Sequence, residues 1–200
     1  MASTLNLFMG WRLGIKSLDT VLTRTDETMS SSEVTLNVAV AGTLTTRTSD
    51  SVGIVTVASH SITTADTVAI FWTGGYRYGV AVSATAATTI SVGSGGSGDV
   101  LPASSTVLTI CKESTLTFSH AGSDIIAMLV HSPERMSMNV KDTSPATQQA
   151  ADITANEGWF WISNATGTSP FAGDTLGTIV MANAATTAKT ATVLLLKNSV

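Results

Sequence analysis

Short apolar runs on a two-residue period dominate residues 52–110. The runs VGIVTVA, TVAIFW, YRYGVAVSA, TTISV and STVLTI place β-branched or aromatic residues at alternate positions, with turn residues between them and no helical period. A strand is therefore predicted at each run, and together they predict a small antiparallel sheet or barrel.

The turns of this region have their own signals. EVTLNVAVAGTLTTRT is interpreted as two strands with a turn at Gly42, and Asp66 is expected to cap a turn by accepting backbone N–H bonds. Gly74 and Gly75 are expected to supply the positive φ of a tight hairpin. Residues 93–99, GSGGSGD, are predicted to form a flexible, solvated loop.

Residues 113–200 repeat the strand pattern with STLTFS, DIIAMLV, RMSMNV, GWFWIS, TLGTIVMA and TATVLLLK. AMLV and VLLL are apolar on both faces, which is typical of central strands, whereas MSMNV alternates as a half-exposed strand should. SPATQQAADIT is predicted to form a short helix, with Ser144 as the N-cap before Pro145. The strand spacing predicts a β-sandwich or jelly roll.

Residues 1–32 lie outside both patterns. They contain several large apolar residues, but Gly10 and Gly14 weaken a long helix, so an extended N-terminal arm is expected. Its apolar residues must be buried across the chain's own sheet or on a neighbour, and an ordinary first core strand is the alternative. The predicted organisation is this arm, a barrel-like region at 33–112 and a sandwich at 113–200, the last two either separate or one continuous domain.

Composition narrows the function. The chain of 200 residues is 44% hydrophobic, enough for a core, but only 12% charged, and more than a quarter of it is Ser or Thr. Such a charge-poor surface favours packing against copies or partners. The net charge of −4, without a cluster among ten Lys and Arg, argues against direct nucleic-acid binding. Neither a basic leader nor an apolar run of about 20 residues is seen, so neither export nor a membrane span is expected.

Few residue groups suggest chemistry. His60, His120 and His131 lie far apart, and the single cysteine, Cys111, is expected to be a buried apolar residue that forms no internal disulfide. His120, Ser123 and Asp124 supply triad residue types within one turn, where triad geometry is hard to reach, and GxSxG is absent. GSGGSG lacks the GK[ST] of a phosphate loop. No metal, cofactor or catalytic activity is therefore expected.

Aromatic residues offer candidate contacts. Trp159 and Trp161 share one face of a predicted strand, where they suit sugar stacking, a core or a subunit interface. Trp72, Tyr76, Arg77 and Tyr78 surround one hairpin, either as an interaction hot spot or as barrel core and hairpin edge. The arm adds Leu7, Phe8 and Trp11 to the candidate protein-binding residues. If the hairpin is an interface, Arg77→Ala and Tyr76→Ala weaken attachment with little loss of stability.

Residues 60–110, HSITTADTVAIFWTGGYRYGVAVSATAATTISVGSGGSGDVLPASSTVLTI, resemble small β modules of tailed-bacteriophage virion proteins. The Thr-, Ser-, Ala- and Gly-rich style of the whole chain is similar to capsid decoration (cement) proteins. The resemblance implies an all-β sandwich or jelly-roll subunit with an N-terminal arm, bound in many copies to a virion and without catalytic residues.

The first hypothesis is therefore an auxiliary capsid protein. It is expected to be made in the host cytoplasm, to form trimers through strand edges and the arm, and to bind the major capsid protein or other virion proteins. The alternatives are a tail or tail-tube component, a carbohydrate- or receptor-binding β module using Trp159 and Trp161, and a hydrolase that the sequence does not reveal.

Overall fold

The computed structural model describes residues 27–120, 125–142, 147–162 and 176–198. This part of the chain is all β, as the sequence predicts, and contains no helix. Its strands are β1 (Glu27–Leu36), β2 (Val40–Arg47), β3 (Gly53–Val57), β4 (Thr67–Trp72), β5 (Gly75–Ala86), β6 (Thr89–Val92), β7 (Ser97–Gly98), β8 (Thr106–Lys112), β9 (Ser114–His120), β10 (Ile125–His131), β11 (Met136–Asp142), β12 (Thr147–Ile153), β13 (Gly158–Ile162), β14 (Leu176–Asn183) and β15 (Lys189–Asn198).

Strands β2 to β8 form a closed barrel. The sheet order is β4-β8-β2-β3-β6-β5-β7, and an additional β4–β5 pairing joins six of these strands into a ring, with β7 added beside β5. Residues alternate between inside and outside, as in β3, where Val55 and Val57 are buried and Ile54 and Thr56 are exposed. The barrel core consists mainly of Leu44, Val55, Val57, Ile62, Val68, Ile70, Val80, Val82, Ile90, Val92, Leu101, Leu108 and Ile110.

The remaining strands form a jelly roll of two four-stranded antiparallel sheets. One sheet has the order β1-β15-β10-β13 and the other β12-β11-β14-β9. The pairs are nested along the chain: β11 pairs with β12, β10 with β13, β9 with β14, and β1 with β15. This nesting of one long folded hairpin is the jelly-roll connectivity. Residues of both sheets meet in one core: Leu36, Ile125, Met128, Val130, Met136, Met138, Val140, Ile153, Ile179, Met181, Ala191, Val193 and Leu195.

The barrel is an insertion between the first two strands of the jelly roll. The chain leaves β1 at Leu36, enters the barrel at Val40, leaves it at Lys112 and re-enters the jelly roll at Ser114. The predicted boundary between residues 32 and 33 therefore falls inside β1, a strand that belongs to the jelly roll because Leu36 lies in its core. Residues 1–26, most of the predicted arm, lie outside the described residues.

Every strand predicted from an apolar run is confirmed, but the predicted helix at 144–154 is wrong. Thr147–Ile153 form β12, which pairs with β11 from Met136↔Ile153 to Lys141↔Thr147. Pairing with a central strand overrides the helical signal of Ser144 and Pro145, which lie outside the described residues. AMLV and VLLL are predicted to be central strands buried on both sides; β10 and β15 do occupy the middle of their sheet, but Leu129, Leu194 and Leu196 on its outer face are only half-buried.

Three local predictions also need correction. The turn predicted at Gly42 lies instead at residues 37–39, and Gly42 lies inside β2, where a Cβ would be only 2.7 Å from the Thr56 carbonyl oxygen of β3. Gly74 has the expected positive φ of 86°, but Gly75 begins β5, where a Cβ would lie 2.5 Å from the Trp72 ring. MSMNV is buried on both faces, with Ser137 and Asn139 at 0% and 1% exposure.

Candidate interaction site

The hairpin of β4 and β5 connects the two halves of the molecule. On β4, Val68, Ile70 and Trp72 point into the barrel, whereas the alternate residues Ala69 and Phe71 point outward. These outward residues pack in a small apolar cluster with Ala39, Tyr78, Cys111 and Ala182, the last of which belongs to β14 of the jelly roll. The sequence-predicted hot spot is therefore first of all an intramolecular junction.

Arg135 fastens this junction. Its guanidinium donates to the carbonyl oxygens of Trp72 at 2.8 Å and Gly75 at 2.9 Å, and it lies 5.5 Å from the centre of the Phe71 ring. On its other side it binds both carboxylate oxygens of Asp152 in β12, at 2.7 Å through Nη2 and 3.0 Å through Nε. The planar fork of arginine suits this arrangement of acceptors. One side chain thus joins the barrel hairpin to the edge of the jelly roll.

The two linkers to the barrel lie side by side and are bonded to each other. Asn37 donates its side-chain amide to the Lys112 carbonyl at 3.1 Å, and its own carbonyl accepts from Asn183 Nδ2 at 2.7 Å. The same carbonyl accepts from Cys111 Sγ at 3.2 Å. Burial raises the pKa of the Cys111 thiol to about 11, so this thiol is protonated at neutral pH. The predicted buried cysteine is confirmed, and it lies at the junction.

Arg77 holds the glycine-rich segment against the barrel. Its guanidinium donates to the carbonyl oxygens of Gly95 at 2.8 Å, Gly96 at 3.2 Å and Asp99 at 3.1 Å. Gly96 has φ of 67°, and a Cβ there would overlap the Tyr78 carbonyl oxygen. The segment is exposed, as predicted, but it is not a free loop, because it contains β7 and is bonded to β5 along its length.

The two tyrosines of the hairpin occupy the junction as well. The Tyr76 and Tyr78 rings stack with centroids 5.8 Å apart, and Tyr78 is only 8% exposed. Burial raises the pKa of Tyr76 above its ordinary value, and the nearby Tyr78, Asp152 and Asp99 raise it further. Tyr76 packs against the apolar cluster that contains Ala182 of β14, so it faces the jelly roll.

The aromatic strand β13 turns its tryptophans inward. Trp159 and Trp161 pack against the jelly-roll core, whereas Phe160 points outward and is 38% exposed. Both tryptophans are half-buried against the core, as the core alternative expects, and the structure does not present them as an exposed platform for sugar stacking.

Six of the nine candidate contact residues are thus used inside the chain. Trp72, Trp159 and Trp161 pack against cores, Tyr76 and Tyr78 fill the junction, and Arg77 binds the glycine-rich segment. Leu7, Phe8 and Trp11 lie outside the described residues. Contacts of any of these residues with other molecules stay predictions.

Polar groups elsewhere serve local structure. The predicted cap is confirmed, since the Asp66 carboxylate accepts from the Thr63 N–H at 2.7 Å and binds Lys112 Nζ at 3.1 Å. Burial alone would raise the pKa of Asp66, but these hydrogen bonds and the Lys112 charge lower it below its ordinary value. The His60 ring contacts the carbonyl oxygens of Ile62 and Ala86. The side chain of His120, with Ser123 and Asp124, lies outside the described residues.

Sequence reasoning missed Arg135, Asp152, Asn37 and Asn183, which form the junction. The available signal was weak: a single Arg before the apolar strand MSMNV, and Asn residues at the ends of two strands. Nothing in the local pattern says that these four residues meet, because they come from distant parts of the chain.

The free apolar surface lies elsewhere. Val107 is 73% exposed on β8, Val100 57% exposed before Leu101, and Ile54 37% exposed on β3, so the barrel exterior carries valine and isoleucine among threonines. In sheet register, Val107 stands beside Thr43 of β2, which stands beside Thr56 of β3. This barrel exterior and the surface around Phe160 are the candidate docking surfaces of the described chain.

Over the ranges that the structure describes, no three His, Cys, Asp or Glu side chains form a group that could hold a metal ion. Within the same ranges, no helix is long and apolar enough to cross a membrane. No protein-family model, curated protein or solved structure matches this chain.

Proposed function

We propose that the protein is a non-enzymatic structural component of a virion, in particular an auxiliary capsid protein that decorates the shell and binds neighbouring capsomers. The observation that carries the proposal is the jelly-roll connectivity of β1 and β9 to β15. Jelly rolls recur in viral capsid domains, as well as in lectins and cupins, so this fold supports the proposal.

The surface favours assembly over catalysis. The chain is only 12% charged, and the barrel exterior exposes Val107, Val100 and Ile54 among hydroxyl side chains. Low charge removes the repulsion that keeps monomers apart, and exposed apolar groups bury favourably against a partner. A closed six-stranded ring joined to a jelly roll can present such a surface without strand edges in the ring itself.

Of the alternatives, the glycan-binding module loses its main support. Its stacking residues, Trp159 and Trp161, pack against the core, whereas the side chain of Phe160, between them, is exposed. A tail component remains compatible with the same surface, and location on the particle separates it from a capsid component.

The test is the copy number on particles. Virions of the virus that encodes the chain are purified through a density gradient, and quantitative mass spectrometry measures the ratio of this chain to the major capsid protein. The proposal expects a fixed ratio set by capsid symmetry, gold-labelled antibody on the heads, and particles that disrupt at lower temperature when the gene is deleted. Label on tails identifies a tail component, and absence from purified particles contradicts the proposal.

A further inference from the structure

The outer face of the β1-β15-β10-β13 sheet is apolar at one end. Met128, Val130, Val193 and Leu195 point into the core, so the alternate residues of β10 and β15 point outward. In register across the strands, Leu129 stands between Phe160 of β13 and Leu194 of β15. The next row places Ala127 beside Leu196. Phe160 is exposed and the leucines are half-buried.

The other end of the same face is polar. There His131 of β10 stands beside Thr192 of β15, which stands beside Glu33 of β1. His131 and Glu33 are exposed. The outer face is therefore divided along the strands into an apolar end and a polar end, as expected if a covering segment reaches only the apolar end.

The chain enters the sheet at the apolar end. Glu27, the first residue of β1, pairs with Asn198, and Met29 pairs with Leu196 of the apolar row. Residues 1–26 come directly before this point and are rich in large apolar side chains, among them Leu7, Phe8 and Trp11. The apolar part of this segment ends at Leu22, and four polar residues, 23–26, connect it to the apolar end of the sheet.

The segment is long enough to cover this surface. From β1 to β13 there are three strand spacings, roughly 15 Å in all, which an extended chain crosses in about five residues. A covalent tether gives the segment a high effective concentration at this face, and the entropic cost of closing the loop grows only slowly with its length. The segment's own sheet is therefore favoured over that of a neighbour.

We propose that residues 1–26 fold back over the apolar end of the outer sheet face of their own chain and cover Phe160, Leu129, Leu194 and Leu196. This inference goes beyond the proposed function, because it concerns the chain's own packing and holds whether or not the protein belongs to a virion.

Trp11 provides the test in the full-length chain. The difference between the fluorescence of the chain and that of Trp11→Phe isolates Trp11 from the other tryptophans. The expected Trp11 emission lies at short wavelength and is shielded from acrylamide. Phe160→Ser is expected to shift it to longer wavelength and to increase quenching severalfold, while Val107→Ser, the same kind of change on the barrel exterior, leaves it unchanged.

Cooperative melting checks that Phe160→Ser still folds, and Leu194→Ser provides a second substitution on the same face. Full accessibility of Trp11 to acrylamide in the unaltered chain would overturn the proposal. So would Trp11 emission unaffected by both serine substitutions. Shielding lost on dilution, together with dissociation of oligomers seen by light scattering, would place the segment on a second copy and overturn it as well.

Discussion

The barrel and the jelly roll differ in their strand edges and in which parts of the chain they join. The barrel uses one continuous stretch, 40–112, and closes on itself through the β4–β5 pairing. The jelly roll joins strands from both ends of the chain, since β1 pairs with β15. Its sheets end at β1 and β13 and at β12 and β9, so edges remain in the described jelly roll but not in the ring of the barrel.

This difference has consequences for the surface of the barrel and for the order in which the two regions fold. A closed ring satisfies its own backbone hydrogen bonds, so its exterior can carry exposed residues such as Val107 without inviting strand addition. The jelly roll depends on pairing between distant segments, which forms late and slowly in folding. The barrel can fold first and bring Leu36 and Ser114, on either side of its linkers, close together.

The largest effects are expected from matched core substitutions, one in each region. Met128→Ala in the jelly roll and Ile70→Ala in the barrel each remove a side chain with 0% exposure, so each is expected to cost about 2–5 kcal/mol. Differential scanning calorimetry shows whether the losses fall on separate transitions. Two regions that fold as one unit would shift together in both variants, contrary to the order of folding described above.

Arg135→Ala is expected to have the next largest effect, because it leaves Asp152 and the carbonyl oxygens of Trp72 and Gly75 without their charged donor. Hydrogen bonds to charged groups contribute about 1.5–3 kcal/mol. The barrel should loosen from the jelly roll, and Cys111 should react faster with thiol reagents while both regions keep their strand content. Arg135→Lys, which keeps the charge but not the planar fork, should restore only part of the lost stability and of the lost protection of Cys111. Unchanged Cys111 labelling in Arg135→Ala would show that the junction does not depend on this side chain.

Arg77→Ala tests the barrel alone. Loss of three bonds to carbonyl oxygens is expected to cost about 1–2 kcal/mol and to speed amide exchange in residues 94–99. This replaces the expectation, drawn from the sequence, that the change leaves stability intact. Arg47→Ala is the control, since its exposed ion pair with Asp50 should contribute less than about 1 kcal/mol. Equal melting temperatures of the two variants would remove the role given to Arg77.

The smallest effect concerns pH. Because the pKa of Asp66 is lower in the folded chain than its ordinary value, its ionised form stabilises the barrel above the ordinary carboxyl pKa of about 4. That contribution, roughly 1 kcal/mol, is lost as pH falls through the lowered pKa. The stability gap between the chain and Asp66→Asn, measured by urea unfolding, should therefore shrink below about pH 4. A gap that is independent of pH would contradict this reading.

The sequence predicts what is local. Alternating patterns located β3, β4, β5, β6 and β8 because each strand carries its own inside and outside. The sequence alone could not show that β1 pairs with β15, nor that Thr147–Ile153 form a strand. Pairing with strands distant in sequence decides both. The burial of Ser137 and Asn139 was missed for a similar reason, because their own strand alternates polar and apolar residues as a half-exposed strand does.

The same limit applies to the candidate site. Aromatic residues around Gly74 marked the hairpin as a candidate contact with other molecules, which stays a prediction, and the contact seen is with Arg135 and Ala182 of the same chain. At the junction, side chains from β4, β12 and β14 meet Arg135, which directly precedes β11, and the spacing of residues along the sequence does not show this.

The central claim, that this chain is a structural component of a virion, is tested most directly by reconstructing purified particles with and without the gene by cryo-electron microscopy. We expect difference density on the shell at symmetry-related positions, each large enough for a jelly roll carrying a closed barrel. Identical maps of the two kinds of particle would contradict it, when the chain is detected in the lysate from which the gene-containing particles were purified.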